Sequence, residues 1–296
     1  MEKAYEAITA RMIQLLEGGT VPWHKPWKSG RGHPKNLVSG KEYRGINAFM
    51  LSSAKCDSPY WLTFKQAKDR GGTVRKGEHG YPCVYWNSTV KEDPERGERR
   101  EIRFLRYYTV FNVLQCEGIE YPREVTHPLG FNVLETCDRV VAEMPSPPRI
   151  EHGSERASYY PSCDTLKMPH QKSFESPESY YSVLFHELVH STGHESRLAR
   201  QGITDEILFG SDKYSKEELI AEMGAAFLCG RAEIESKVIE NSASYISSWL
   251  ERLRNDRRLV VTAASQAQKA ADYILNTKKE VDDAMLNMPE ESTRGN

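Results

Sequence analysis

His186-Glu187-Leu188-Val189-His190 is the stretch on which the reading of this chain turns. On a helix of 3.6 residues per turn, side chains four apart lie one above the other, so both imidazoles can reach a single metal ion. Glu187, one position on, would stand beside that ion and could take a proton from water. The surroundings predict the helix that this requires. Ser176 suits an N-cap and Pro177 a first helical position, while Tyr181, Leu184, Phe185 and Leu188 supply an apolar face over about 177–193.

A catalytic zinc site takes three protein ligands and keeps one position open. His194 follows four residues after His190, but Gly193 is expected to end the helix and swing it away, and position 196, ten after His186, is a serine. The next helical stretch, expected near 216–231, offers Glu218 and Glu222 on one face; one can bind the metal while the other orients a ligating histidine. Ser215-x-x-Glu218 also has the form of a capping box, in which case Glu218 bonds the helix start and Glu222 becomes the ligand. Tyr214 and His194 are the nearest candidates to stabilise an oxyanion or support the ligands. The donor set suits Zn2+, with another divalent metal as the alternative, and its chemistry is hydrolytic. Ala157–Tyr160 reads either as a sheet edge along which a peptide substrate could lie or as an ordinary core strand.

Away from the motif, the 296 residues have room for about two domains. At 39% hydrophobic and 28% charged, the composition is that of a globular chain. No apolar run approaches the ~18–20 residues of a membrane span, and Met1-Glu2-Lys3 does not begin a secretion signal. The six cysteines are scattered without a Cys-x-x-Cys pair, so a reduced, cytoplasmic protein is expected. The net charge of −2 hides an asymmetry: residues 18–91 carry 13 Lys/Arg against 4 Asp/Glu, while residues 125–296 carry 19 against 27. A basic half points to a polyanion.

Ala4, Ile8, Met12 and Leu15 predict a leading helix over 2–17, closed by Gly18-Gly19. Short β-prone segments follow to about 115, with the mixed-charge run Lys91–Arg100 as a hairpin tip. The later half combines extended pieces at 149–152, 157–160 and 164–168 with helices near 177–193, 216–231, 240–255 and 258–279. These features give an α+β chain in two domains, 1–125 and 151–296, joined by a 126–150 linker region.

Four of the five tryptophans lie in the basic half, and Trp23, Lys25, Trp27, Lys28 and Arg31 alternate aromatic rings with cations. Single-stranded nucleic acid binds where cations follow phosphates and flat side chains stack on bases. Lys35, Lys41, Tyr43, Arg44, Asn47, Lys65, Lys68, Arg75 and Lys76 are the next candidates. Trp61, Phe64, Tyr85 and Trp86, in β-prone runs, are expected to fill a core instead.

Several stretches together resemble ArdC-type antirestriction proteins of conjugative plasmids. They are Pro22-Trp23-x-Lys25-Pro26-Trp27, Gly40-Lys41-x-Tyr43-Arg44-Gly45-Ile46-Asn47, Trp61–Ala67, Gly71-Gly72-x-Val74-Arg75-Lys76-Gly77-Glu78, Phe111-Asn112-Val113, and His186–His194 with Arg197-Leu198. The N-terminal part is also similar to the N-terminal region of plasmid-borne primases. The resemblance implies a single-stranded-DNA-binding domain at 1–125, a zincin-like metallopeptidase domain at 151–296, and shielding of incoming plasmid DNA from host restriction endonucleases in the recipient's cytoplasm. Glu218-Leu219-Ile220-Ala221-Glu222 is similar to the second helix of gluzincin peptidases, which implies Glu218 as the ligand. A second function is a zinc metallopeptidase delivered to DNA, where it cleaves a bound host protein. No membrane partner is expected.

Overall fold

A computed structural model describes residues 2–24, 32–54, 56–92, 99–123, 133–204, 212–235 and 243–277, without the side chains of 89–92, 99–103, 202, 204 and 212–214. The fold is α+β in two domains: a small sheet-bearing N-terminal domain behind a leading helix, and a mainly helical C-terminal domain with a short sheet.

The leading helix α1 (Glu2–Glu17) buries Ala4, Tyr5, Ile8, Thr9, Met12 and Leu16 along one stripe, the spacing that a helix needs to cover a core. The chain then forms β1 (Lys35–Asn36), α2 (Ile46–Ser52), β2 (Tyr60–Thr63), α3 (Phe64–Asp69), β3 (Thr73–Val74), β4 (Tyr81–Glu92), β5 (Arg99–Asn112) and β6 (Cys116–Glu117). Strands order β1-β2-β5-β4 in the main sheet, with β4 and β5 as a long antiparallel hairpin. The sequence reading gave this region only β character. Two short helices interrupt it, and α3 is started by a Thr63–Gln66 capping box that satisfies backbone donors locally.

The 126–150 stretch carries α4 (Val133–Ala142), which packs Cys137 and Val140 into the core and ties Asp138 to the Tyr181 hydroxyl. β7 (Arg149–His152), β8 (Ser158–Tyr160) and β9 (Thr165–Met168) form a sheet of order β7-β9-β8. α5 (Pro177–Ser191) follows, then α6 (Gln201–Thr204), α7 (Asp212–Arg231), α8 (Ala243–Asn255) and α9 (Leu259–Ile274). α7 packs against both α5 and α9. Five alanines of α9 (263, 264, 267, 270 and 271) are fully buried, and their small size lets neighbouring helices approach closely.

One continuous core runs from Ala4 to Ile274, so the two domains are joined by packing as well as by chain. α1 packs against α8 and α9, with ion pairs Arg254–Glu17 (2.7 Å) and Arg257–Glu6. α2 meets the C-terminal helices through the Phe49–Phe227 stack, with ring centroids 4.5 Å apart. At its N-terminus, the Gly45 amide donates to Gln268 Oε1 at 2.9 Å. Among the described residues, no helix is long and apolar enough to cross a membrane.

Candidate metal centre

α5 carries the His-Glu-x-x-His pattern on a buried helix. Ser176 caps it by accepting the Ser179 amide at 3.2 Å, and Pro177 opens its first turn. Residues 184–192 are all buried, so the helix has no solvent face here and both histidines point into protein. Beyond Ser191 the chain turns back at Gly193. There Arg197 Nε donates to the Ser191 carbonyl at 2.7 Å and Arg200 to the Val189 carbonyl at 2.8 Å, satisfying the helix's last acceptors.

α7 crosses α5 closely because Gly224 has no side chain: a Cβ there would stand 2.7 Å from Val189 Cγ2. That approach brings Glu218 over the histidines. Nε2 of His186 and Nε2 of His190 lie 3.1 Å apart, and the Glu218 carboxylate oxygens lie 3.5 and 3.6 Å from them. Among the described residues, these three form the group able to hold a metal ion, with one ligand atom of each within 4.8 Å of the others. Tetrahedral zinc with ligand bonds of about 2.0–2.2 Å demands donor–donor separations of about 3.3–3.6 Å. The two carboxylate distances fall in that range, and the 3.1 Å between the imidazole nitrogens is slightly shorter. Two imidazole nitrogens facing each other at 3.1 Å also repel through their lone pairs unless a proton or a cation lies between them, so the donor set fits a divalent ion.

The helix starts at Asp212, which places Ser215 inside it and removes the capping-box reading of Glu218. Glu222 is directed elsewhere. Its Oε2 accepts Trp23 Nε1–H at 2.9 Å and the Tyr245 hydroxyl. Burial pushes the Glu222 carboxyl above the usual carboxylate range, against the hydrogen bond from Tyr245, the charge of His186 and the hydrogen bond from Trp23.

Behind the ligands stands a pair that the sequence reading missed. Glu217 Oε1 lies 3.5 Å from His190 Nδ1, and buried Arg200 holds both oxygens of the same carboxylate, Nε to Oε2 at 3.0 Å and NH2 to Oε1. Burial alone would raise the Glu217 carboxyl; hydrogen bonds from His190 and Arg200 hold it low. Burial likewise works to lower His190, yet the Glu217 hydrogen bond and the charges of Glu187, Glu218 and Glu217 raise it to about 9 without a metal. A carboxylate on the outer nitrogen of a ligating histidine fixes its orientation and raises its basicity. Glu217 is one of two adjacent glutamates, and nothing in the sequence separates their roles. Among the described residues, His186 Nδ1 has no such partner.

His194 is turned off the helix as Gly193 predicts. Its Nδ1 accepts the Ser196 amide at 3.2 Å and pairs with the Ser196 hydroxyl at 2.8 Å. The Tyr214 side chain lies outside the described residues. β8 is an edge strand of the three-stranded sheet and packs against α5.

The nucleic-acid candidates divide. Trp23 was expected to stack on a base, and the structure corrects this. It is fully buried, bonded to Glu222 of α7 and edge-on to Trp249 of α8 at 6.1 Å, because its ring inserts between those two helices. Asn47 also turns inward, exchanging two 2.7 Å hydrogen bonds with the Val84 backbone. The half-buried Tyr43 hydroxyl meets Asn36 Nδ2 at 3.3 Å. Lys35 lies over the Tyr60 ring at 4.9 Å. Lys41, Arg44, Lys65, Lys68, Arg75 and Lys76 are exposed, with Arg44 paired to Asp272 and Arg75 to Glu78. Lys25, Trp27, Lys28 and Arg31 lie outside the described residues. Of the aromatics expected in a core, Trp61 is buried and Tyr85 half-buried, but Phe64 is 57% and Trp86 41% exposed.

Residues 2–111 match the family described as the N-terminal domain of anti-restriction factor ArdC, and residues 136–266 match the zincin-like metallopeptidase family. The chain is 35% identical over 284 residues to the uncharacterized protein y4eC of Sinorhizobium fredii, covering 91% of each. It is also 35% and 33% identical to two Escherichia coli proteins named DNA primase TraC, spanning only 27% and 20% of their lengths. Two crystal structures of the antirestriction protein ArdC from plasmid R388 share its fold. The metal-free form superposes with a TM-score of 0.71 at 38% identity, covering 91% of this chain and 96% of that one. The Mn(II)-bound form gives 0.73 at 36% identity, covering 92% and 97%.

Proposed function

This chain belongs to the ArdC antirestriction family, with that family's N-terminal domain followed by a zincin-like metallopeptidase domain, and from that premise we propose an antirestriction protein that binds single-stranded DNA largely without sequence specificity. It protects incoming conjugative plasmid DNA from host restriction endonucleases in the cytoplasm. Residues 1–125 bind the DNA, and residues 151–296 hold a divalent ion, zinc, on His186, His190 and Glu218.

The observation that carries the metal assignment is the convergence of two Nε2 atoms and one carboxylate within 3.1–3.6 Å of one another. A cation held there supplies Lewis acidity for hydrolysis of an amide. Glu187, buried on α5 between the two histidines, is the base that moves the proton. Glu217 and Arg200 keep His190 oriented. The basic balance of residues 18–91 supports the polyanion assignment.

A second reading is a DNA-targeted peptidase acting on a DNA-bound host protein. Glu187 favours it, since a purely structural site needs ligands and no base, and so does the edge strand β8 beside α5. Conjugal transfer into a restricting host separates the two. Full-length Glu187→Ala that protects as well as wild type supports DNA binding as the protective act. Loss of protection with oligonucleotide affinity intact supports the peptidase. Elemental analysis of the purified protein should find one divalent ion per chain, absent from Glu218→Ala. A metal-free wild type, reconstituted with zinc and still empty, would refute the site.

A further inference from the structure

We infer that the β4–β5 hairpin is a base-stacking platform for single-stranded DNA, built on Trp86 and Tyr107 with Arg106 as its phosphate contact. This rests on the proposed DNA binding by the N-terminal domain and gives it a location.

The hairpin register pairs Val84 with Tyr107, Tyr85 with Arg106, Trp86 with Leu105 and Asn87 with Phe104. Side chains alternate across a strand, so Val84, Trp86, Leu105 and Tyr107 share one face. One diagonal of that face, Val84 and Leu105, is buried in the main core. The other is not: Trp86 is 41% and Tyr107 50% exposed. They stand diagonally across the two strands, at about 7–8 Å in such ladders, a separation within reach of neighbouring bases on an extended strand. Exposing both rings forgoes burial that the same fold gives Trp23 and Trp61 in full.

The charge carried by the two strands in sequence selects the partner. β4 and β5 carry five Lys/Arg (Lys91, Arg99, Arg100, Arg103, Arg106) against two acids, Glu92 and Glu101. Exposed Arg106 lies on the opposite face from the two rings, where its guanidinium stacks over Phe104 at 5.2 Å. β4 is the sheet edge, so a strand can pass from one face to the other around it. Flat aromatic faces beside cations, with no requirement for particular base edges, suit single-stranded DNA of any sequence.

The test uses the full-length protein and a fluorescein-labelled oligothymidylate in anisotropy titrations across salt concentrations. Trp86→Ala and Tyr107→Ala should each weaken binding about 5- to 150-fold, the range found for removal of one stacked base. Trp86→Phe should retain most of the affinity. Arg106→Ala should reduce the slope of log affinity against log salt by about one contact, which neither aromatic variant does. Because Trp86 and Tyr107 are half exposed, melting temperatures should stay at the wild-type value. Wild-type affinity in the Trp86→Ala/Tyr107→Ala double variant overturns the platform and leaves DNA binding standing. Wild type that fails to bind at low salt overturns both. A wild-type dimer that the double variant dissociates, with oligonucleotide affinity unchanged, shows a self-association surface and also overturns the proposal.

Discussion

Replacing Arg200 by methionine removes the clamp behind the metal centre while keeping an unbranched apolar stem in its place. Arg200 and Glu217 are 7% and 4% exposed, and the guanidinium meets both carboxylate oxygens as well as Thr192 Oγ1 and the Val189 carbonyl. Breaking a buried pair by removing one partner costs about 3–5 kcal/mol, and because His190 stays 3.5 Å from Glu217 as a second partner the low end of that range, about 3 kcal/mol, applies here. Arg200→Met should therefore destabilise by that amount in urea denaturation, performed with metal chelated so that metal binding does not add to stability. Glu217→Gln relieves the stranded charge, so the double variant should lose about 1–3 kcal/mol less than the sum of the single losses. The same substitution frees Glu217 from its fixed position against His190, and metal affinity should fall about 10- to 100-fold. A loss below about 1 kcal/mol, additive energies in the double variant, or unchanged metal affinity would each refute the reasoning.

Gly224→Ala places a methyl 2.7 Å from Val189 Cγ2, so it should cost about 1–3 kcal/mol by overpacking and weaken metal binding as α7 moves off α5; denaturation and a zinc titration measure the two. Trp23→Phe removes a hydrogen bond to a buried carboxylate and should cost about 1.5–3 kcal/mol, while Trp23→Ala, which empties a fully buried site, should cost about 3–5. Near-neutral values for both would show that Trp23 is not part of the core. Burial works to raise the Asp164 carboxyl, but hydrogen bonds from Arg197 and from the Tyr159 hydroxyl (2.7 Å) hold it below its usual value. A depressed folded-state value contributes stability that is present above about pH 4 and lost as pH falls through the lower folded value. Arg197→Ala should flatten that acid limb, and a pH series of urea midpoints with the limb unchanged would count against the pair.

The exchange of roles between tryptophans shows where local pattern stops being informative. Trp23 sits in an extended, proline-flanked, basic segment that reads as a binding surface, yet it is fully buried against α8, more than 200 residues away in sequence. Trp86 sits in a β-prone run that reads as core, yet is 41% exposed although its cross-strand partner Leu105 is buried: the covering layer reaches one diagonal of the hairpin face and leaves the other open. Alternation along a strand states which residues share a face, not how far the covering layer reaches. The 46–52 and 64–69 segments were missed as helices because each is only seven or six residues long, too short for a periodic apolar stripe to stand out.

The sequence by itself determined the paired histidines and Glu187, the helix that carries them, the leading helix, the hairpin and the division into a basic and an acidic half. These are local properties: spacing along one helix, caps, alternation and charge count need no knowledge of distant residues. Tertiary structure alone decided that Glu218 faces the histidines while Glu222 bonds Trp23 and Tyr245, that Arg200 and Glu217 stand behind His190, and which aromatics reach the surface. The physical reason is that two glutamates at i and i+4 share a helix face equally well. Only the close α5–α7 crossing at Gly224 and the insertion of Trp23 from the other end of the chain make their environments different.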